Sequence, residues 1–125
     1  GALTIHLKNP DIFKTSSAFA PICAPAICPW GEKAFTNYLG NDRSTWTNYD
    51  ASELIKTNGI GPEILIDQGL ADSFLENELY PHLFEKACKI SGRSLTLRQH
   101  KNYDHGYYFI SSFISDHILH HLKLL

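Results

Sequence analysis

The sequence predicts an α/β fold with a mostly parallel sheet and flanking helices. Three short, largely apolar segments, at residues 16–20, 64–67 and 95–97, have the character of buried strands, and helical segments separate them along the chain. Strands that alternate with helices form parallel sheets, because each helix carries the chain back across the sheet before the next strand. At 125 residues and 43% hydrophobic, the chain is long enough for one such domain.

The first strand is predicted to lie between two helices. Residues 2–8 have helical character, and this helix is expected to end before Pro10, which disfavours helix in the preceding residue. After the strand at residues 16–20, a proline-rich loop covers residues 21–29, and a short helix is expected over residues 30–39.

The middle of the chain carries a helix-capping signal and the second strand. The Asp50 carboxylate can accept a hydrogen bond from the Glu53 amide while the Glu53 side chain reaches back, so a helix is predicted from there to about Lys56. The apolar run that opens residues 64–67 suits a strand buried on both faces of the sheet.

Two longer helices are predicted on either side of the third strand, at residues 95–97. The first covers residues 73–91, with a kink or break near Pro81, and its inward side chains are expected to be Phe74, Leu79, Leu83, Phe84 and Ala87. The second covers residues 107–124, with an apolar stripe of Ile110, Phe113, Ile114, Ile118, Leu122 and Leu125.

Composition and charge argue against several classes of function. The formal net charge is −2 and basic residues are scattered among acidic ones, so no basic surface for nucleic acid or an anionic membrane is expected. No apolar run reaches the roughly 18 residues that a membrane-spanning helix needs. The three cysteines are an odd number without a C-x-x-C pair, which favours free thiols in a reducing compartment over disulfides or a zinc site.

An aspartate and a histidine stand where a serine hydrolase would carry the acid and base of its triad. Asp72 follows the strand at residues 64–67, and His105 follows the strand at residues 95–97. In α/β-hydrolases the triad runs Ser, then Asp or Glu, then His along the chain. Because the carboxyl ends of parallel strands meet at one edge of a sheet, the two side chains are expected to lie together there. Asp72 would then orient the imidazole, which would take a proton from a serine hydroxyl.

Other interpretations of these residues are open. Asp72 could cap the helix that follows it, and His105 could be an ordinary loop histidine. Asp67 and Asp104 are rival carboxylates, but Asp67 is expected to support its loop, and Asp104 adjoins His105 too closely in sequence to face it. Ser94 leads into a strand instead of the strand-to-helix turn that a nucleophile requires, so no serine of this chain is predicted to be the nucleophile.

The remaining candidates have mainly structural interpretations. His117 and His121 lie four residues apart and could share a metal, but no Glu completes a metalloprotease motif. We expect these two histidines and His120 to be exposed near the carboxyl terminus of their helix. Trp30 could line a pocket, although aromatic side chains more often pack in or around a core.

Several segments together resemble the S-formylglutathione hydrolase (esterase D) family. The resemblance is carried by Ala18-Phe19-Ala20-Pro21-Ile22-Cys23, Cys28-Pro29-Trp30-Gly31, Ile66-Asp67-Gln68-Gly69 with Asp72, and Tyr103-Asp104-His105. It runs essentially end to end but covers only about the second half of the family's length. Residues 1–125 are therefore expected to be a single partial α/β-hydrolase domain that lacks the amino-terminal half and the nucleophile elbow.

The resemblance implies a cytosolic serine thioesterase that hydrolyses S-formylglutathione to formate and glutathione, the last step of glutathione-dependent formaldehyde detoxification. It implies no metal, no cofactor and a homodimer in the full-length form. It gives Asp72 as the triad acid and His105 as the base, and Trp30 is expected in the pocket for the small acyl group. Gly1 matches the last glycine of the family's motif Gly-His-Ser-Met-Gly-Gly-His-Gly, so the nucleophilic serine is expected five residues before Gly1.

The chain departs from the family pattern on both sides of Tyr103-Asp104-His105. Asn102 stands where glycine is usual and can adopt the same left-handed conformation, and Gly106 replaces a usual serine. Two alternatives to the thioesterase are a general carboxylesterase or acyltransferase of the same fold and a non-catalytic truncated chain. On its own the chain is expected to be inactive, and the apolar edge of the first strand is expected to promote self-association.

Overall fold

The computed structural model describes residues 1–125 and contains one sheet of three parallel strands in the order β1-β2-β3. The α/β fold predicted from the sequence is confirmed. In chain order the elements are α1 (Ala2–Lys8), β1 (Ser16–Phe19), α2 (Pro29–Leu39), a 3-10 helix (Arg43–Tyr49), α3 (Ala51–Thr57), β2 (Ile64–Gly69), a π-helical turn (Leu75–Leu79), α4 (Pro81–Ser91), β3 (Leu95–His100) and α5 (Tyr107–Leu124).

Helices cover both faces of the sheet, and β2 is buried along its whole length. Ala18, Ile64 and Ile66 point to one face, where α1, α3, α4 and Cys23 of the loop after β1 supply the rest of the main hydrophobic core. On the other face α5 packs against β1 and β2 and brings Phe109 against Phe19. The alternation of side chains along each strand therefore separates an apolar core on one face from a mixed aromatic and polar layer on the other.

The helix expected over residues 73–91 is broken, as the position of Pro81 predicted. The π-helical turn ends at Tyr80, which adopts a left-handed conformation with φ of 49°, and α4 begins at Pro81. Proline disfavours the helical conformation in the residue before it and cannot donate to the preceding turn, so a new helix starts there. The break turns the chain between the loop that carries Asp72 and the core helix α4.

Two predictions about helices need correction. Asp50 caps α3 by accepting from the Glu53 amide at 3.1 Å, but Glu53 pairs with Lys56 and does not reach back, so only half of the capping box forms. In α5 the buried side chains are Phe109 and His117, whereas Ile118 and Leu122 of the predicted stripe are exposed. The 3-10 helix before Asp50 was not expected. No helix combines the length and apolar character that a membrane span requires.

Candidate active site

The loops after β2 and β3 lie against each other at the carboxyl edge of the sheet. The Leu70 amide donates to the His100 carbonyl and the Ala71 amide to the Tyr103 carbonyl, each at 2.9 Å. At Gly69 a Cβ atom would lie only 2.2 Å from the Tyr103 carbonyl oxygen, so only glycine allows this approach. Backbone hydrogen bonds alone therefore hold the two loops together.

Asp72 and His105 meet at this edge, one from each loop. Asp72 Oδ2 and His105 Nδ1 are 2.6 Å apart, the Asp72 side chain has no exposed surface, and 40% of the His105 side chain is exposed. Because an ionised carboxylate can only accept, Nδ1 carries the proton and Nε2 is left as the basic nitrogen. An imidazole oriented in this way, and open to solvent, can act as a general base.

The Asp72 carboxylate has two further donors. Its Oδ1 accepts from the Phe74 amide at 2.9 Å, and its Oδ2 also accepts from Gln68 Nε2 at 3.1 Å. Asp72 thus caps the turn that follows it and pairs with His105 at the same time, so the two interpretations of Asp72 are not exclusive. Gln68 lies in the Ile66-Asp67-Gln68-Gly69 segment of the family resemblance, but it was assigned no role from the sequence, because no local pattern shows that its amide reaches Asp72 across the turn after β2.

The loop that carries His105 is shaped by its neighbours in sequence. Asn102 adopts the left-handed conformation, with φ of 69°, as expected for the residue in place of glycine. Asp104 accepts from the Gly106 amide at 2.9 Å and makes no contact with the imidazole. The rival carboxylate is therefore used in a local turn at the start of α5.

An aromatic wall stands beside the imidazole. The Phe74 and His105 rings pack edge to face, with 5.4 Å between their centroids, and the Trp30 ring centroid lies 4.5 Å from that of Phe74. The Trp30 amide donates to the buried Glu78 carboxylate at 2.9 Å, which fixes the start of α2 against the π-helical turn. Phe74 therefore lies between Trp30 and His105. The sequence had predicted Phe74 as an inward-facing residue of a helix.

The turn before Trp30 is set by the Cys28-Pro29-Trp30-Gly31 segment. The Cys28 sulfur accepts from the Gly31 amide at 3.3 Å and so caps α2, whose first residue is Pro29. A Cβ atom on Gly31 would lie 1.9 Å from the Pro25 carbonyl oxygen. Burial raises the pKa of the Cys28 thiol, which favours its uncharged form.

Asp67 forms a separate cluster on the α5 face, and the expectation that it supports its own loop was wrong. Its fully buried carboxylate accepts from Arg98 Nε and Nη2 at 2.7 Å, and from His100 Nε2 and His117 Nε2 at 2.8 Å. Burial alone would raise the pKa of Asp67, but the hydrogen bonds from His117, Arg98 and His100 outweigh it and hold this pKa well below its usual range. The carboxylate thus ties β2 to β3 and to α5.

The histidines of α5 are drawn into the same layer, so the expectation that all three are exposed was wrong. His117 is buried, and its Nδ1 lies 2.8 Å from Ser17 Oγ, which also lies 3.0 Å from His121 Nε2. His121 Nδ1 in turn lies 2.6 Å from Thr15 Oγ1. No group of three or more His, Cys, Asp or Glu side chains is arranged to hold a metal ion.

None of the serines hydrogen-bonds to His105. Ser94, the serine weighed in the sequence, lies at the opposite end of β3, where its hydroxyl is 3.5 Å from Glu63. The chain therefore presents an oriented imidazole without a serine of its own bonded to it.

Comparison with known proteins relates the whole chain to esterases. The family described as "Putative esterase" matches residues 1–120. The S-formylglutathione hydrolase of Arabidopsis thaliana is 55% identical over 126 residues, which cover 100% of this chain and 44% of that protein. The S-formylglutathione hydrolase of Rattus norvegicus is 52% identical over 127 residues, which cover 100% of this chain and 45% of that protein.

A solved structure gives the same relation. An S-formylglutathione hydrolase from Agrobacterium tumefaciens superimposes with a TM-score of 0.94 at 54% identity, over 98% of this chain and 44% of that one. The resemblance inferred from the sequence is confirmed, and the chain spans less than half the length of the relatives it matches.

Proposed function

We propose, because this chain belongs to the esterase family, that the protein carrying it is a serine thioesterase that hydrolyses S-formylglutathione to formate and glutathione. The observation that carries the proposal is the hydrogen bond of 2.6 Å between buried Asp72 and half-exposed His105 at the carboxyl edge of the sheet. Relatives named S-formylglutathione hydrolase, at 52–55% identity, support this choice of substrate.

The nucleophile in this proposal is a serine in the part of the relatives' length that this chain does not span. His105 Nε2 takes the hydroxyl proton as the serine oxygen attacks the formyl carbonyl, and Asp72 stabilises the imidazolium that forms. The tetrahedral intermediate then expels the glutathione sulfur, which takes the proton from His105 Nε2 and leaves as the thiol, and a formyl ester of the serine remains. His105 next takes a proton from water, whose oxygen attacks the ester, and formate leaves as the serine recovers its proton.

The aromatic wall supplies a basis for selecting a small acyl group. Phe74 packs edge to face with the His105 ring and Trp30 packs on Phe74, so a substrate carbonyl beside the imidazole would lie close to these aromatic rings. Rigid aromatic rings at this position would favour a small acyl group over a longer one.

Three further features of the proposal rest on the family resemblance. They are a homodimer in the full-length form, a cytosolic location and a role in disposing of formaldehyde as its glutathione adduct. The cytosolic location is also supported by the cysteines, since Cys23, Cys28 and Cys88 are all free and buried.

The experiment compares variants of the whole protein that carries this chain. Asp72→Asn and His105→Ala should each lower kcat for S-formylglutathione by about 10⁴-fold, because the base loses its orientation or is removed. Asp104→Asn is the matched control, since this carboxylate adjoins His105 without touching it, and its kcat should stay near that of the unsubstituted protein. Near-normal turnover by His105→Ala would refute the assignment.

The same assay separates the thioesterase from a general carboxylesterase of the same fold. The thioesterase predicts a higher kcat/KM for S-formylglutathione than for p-nitrophenyl acetate. An oxygen ester turned over at the higher kcat/KM would favour the carboxylesterase, with Asp72 and His105 in the same roles.

A further inference from the structure

Gln68 is a buried amide placed directly behind the candidate acid. It lies in β2 with no exposed surface, and its Nε2 donates to Asp72 Oδ2 at 3.1 Å and to the Gly69 carbonyl at 3.0 Å. The Gly69 carbonyl also accepts from the Asp72 amide at 3.4 Å. The amide group of Gln68 thus binds both the side chain of Asp72 and the turn that presents it.

The chemistry of its partners determines which way this amide points. A carboxylate and a backbone carbonyl both require donors, and the two hydrogens on Nε2 satisfy both. The reversed amide would place Oε1 against two acceptors, so it is excluded by electrostatic repulsion. In the observed orientation Oε1 is buried without a hydrogen-bond partner.

The unpartnered oxygen indicates that the donor side is what this position requires. A buried acceptor without a donor destabilises the folded protein, and an apolar side chain of similar size would avoid that loss. A neutral donor also has an advantage over a cation at this place. It stabilises the Asp72 carboxylate without adding a positive charge that would oppose formation of the His105 imidazolium.

We propose that Gln68 is a positioning residue that fixes the plane of the Asp72 carboxylate and thereby orients His105, an inference that rests on the proposed function. Asp72 Oδ1 is held by the Phe74 amide, and Oδ2 is shared by His105 and Gln68. With a donor on each oxygen besides the imidazole, the carboxylate cannot rotate about its Cβ–Cγ bond without losing one of them. The short contact to His105 depends on that restraint.

The first test reads the Asp72–His105 hydrogen bond without any enzyme assay. In the whole protein that carries this chain, the proton on His105 Nδ1 should give a strongly downfield NMR resonance. In Gln68→Leu this resonance should move upfield, and the proton should exchange faster with water. Gln99→Leu is the matched control, because Gln99 pairs with Gln68 in the strand register, is exposed and should leave the resonance unchanged. An unchanged resonance in Gln68→Leu, or no such resonance in the unsubstituted protein, would overturn the proposal.

The second test uses a substitution that preserves the size of the side chain. In the whole protein, Gln68→Glu places a carboxyl group against Asp72, which can donate only while it is protonated. We expect kcat to fall by about tenfold or more as pH rises through the pKa of this carboxyl, with KM unchanged, which gives a new alkaline limb in the pH profile. A loss caused by packing alone would not depend on pH.

Gln99→Glu should show no such limb, and a Gln68→Glu profile identical to that of the unsubstituted protein would contradict the proposal. The two tests also separate this inference from the proposed function. If the whole protein failed to hydrolyse S-formylglutathione, the proposed function would fall, while the shift of the His105 resonance in Gln68→Leu would still support the role of Gln68.

Discussion

Asp67 and Asp72 are five residues apart on one strand and its following turn, yet their surroundings give them opposite capacities. Asp72 serves one half-exposed imidazole whose other nitrogen is free to take a proton. Asp67 is fully buried and accepts four hydrogen bonds, from Arg98, His100 and His117, so it is shared among three side chains instead of serving one exposed imidazole. A carboxylate saturated in this way stabilises the fold and is unsuited to orient a general base.

Asp67→Asn should therefore lower stability strongly. An amide cannot accept from all four donors, and it leaves the Arg98 charge without its buried partner, so the free energy of unfolding should fall by about 3 kcal/mol in urea denaturation. Asp116→Asn removes the other carboxylate on Arg98, which is half-exposed, and should cost less than about 1 kcal/mol. Equal effects of the two substitutions would contradict the account of this cluster.

The same cluster predicts how stability depends on pH. The pKa of Asp67 is lowered in the folded protein, so its contribution is fully present above the unfolded value of about 3.9 and is lost as pH falls toward the folded value. Urea denaturation across this acidic range should show a steeper loss of stability in the unsubstituted protein than in Asp67→Asn. Parallel curves would show that Asp67 does not supply this contribution.

At the scale of elements, local pattern predicted most of the helices and strands but not the buried face of α5. The strands, the break at Pro81 and the loops carrying Asp72 and His105 follow from apolar runs, prolines and chain order. The buried face of α5 does not follow from these signals. His117 is polar, so the sequence pattern places it on the exposed face, but its hydrogen bond to Asp67 of β2 holds it against the sheet.

The partners of Asp67, and Gln68 as a second side-chain partner of Asp72, could not be predicted for a related reason. Arg98 faces Asp67 only because β2 and β3 pair in the register that places these two residues side by side. The local sequence of either strand does not determine that register. The role of Gln68 was not predicted for the same reason. Its hydrogen bond to Asp72 depends on how the turn after β2 folds back toward the strand.

The turn at the start of α2 offers a test of how an element positions the aromatic wall. In Gly31→Ala the new Cβ would overlap the Pro25 carbonyl oxygen, a backbone atom that cannot move aside cheaply. We expect the free energy of unfolding to fall by about 2 kcal/mol and the fluorescence of Trp30 to change as its contact with Phe74 loosens.

Lys33→Ala is the control for this substitution, since Lys33 is exposed on the same helix and should leave both the stability and the fluorescence nearly unchanged. A Gly31→Ala variant as stable as Lys33→Ala would show that the overlap is relieved elsewhere.

At the scale of the whole molecule, two sites combine aspartate and histidine, and only the one with Asp72 presents a half-exposed imidazole. On the α5 face, Asp67, His117 and Ser17 form a hydrogen-bonded series of the same residue types as a hydrolase triad. His121 also bonds to Ser17, and burial, with His120 and His117 nearby, lowers the pKa of His121. This series joins β1, β2 and α5, and we assign it a structural role.

The central claim is that Asp72 and His105 activate a serine outside residues 1–125. The most direct measurement is to label the whole protein with a fluorophosphonate, which reacts with activated serines, and to locate the label by peptide mass spectrometry. We predict one labelled serine, in a Gly-x-Ser-x-Gly segment that precedes Gly1, with labelling abolished in His105→Ala. A label on Ser17 or any other serine of residues 1–125, or undiminished labelling in His105→Ala, would contradict the claim.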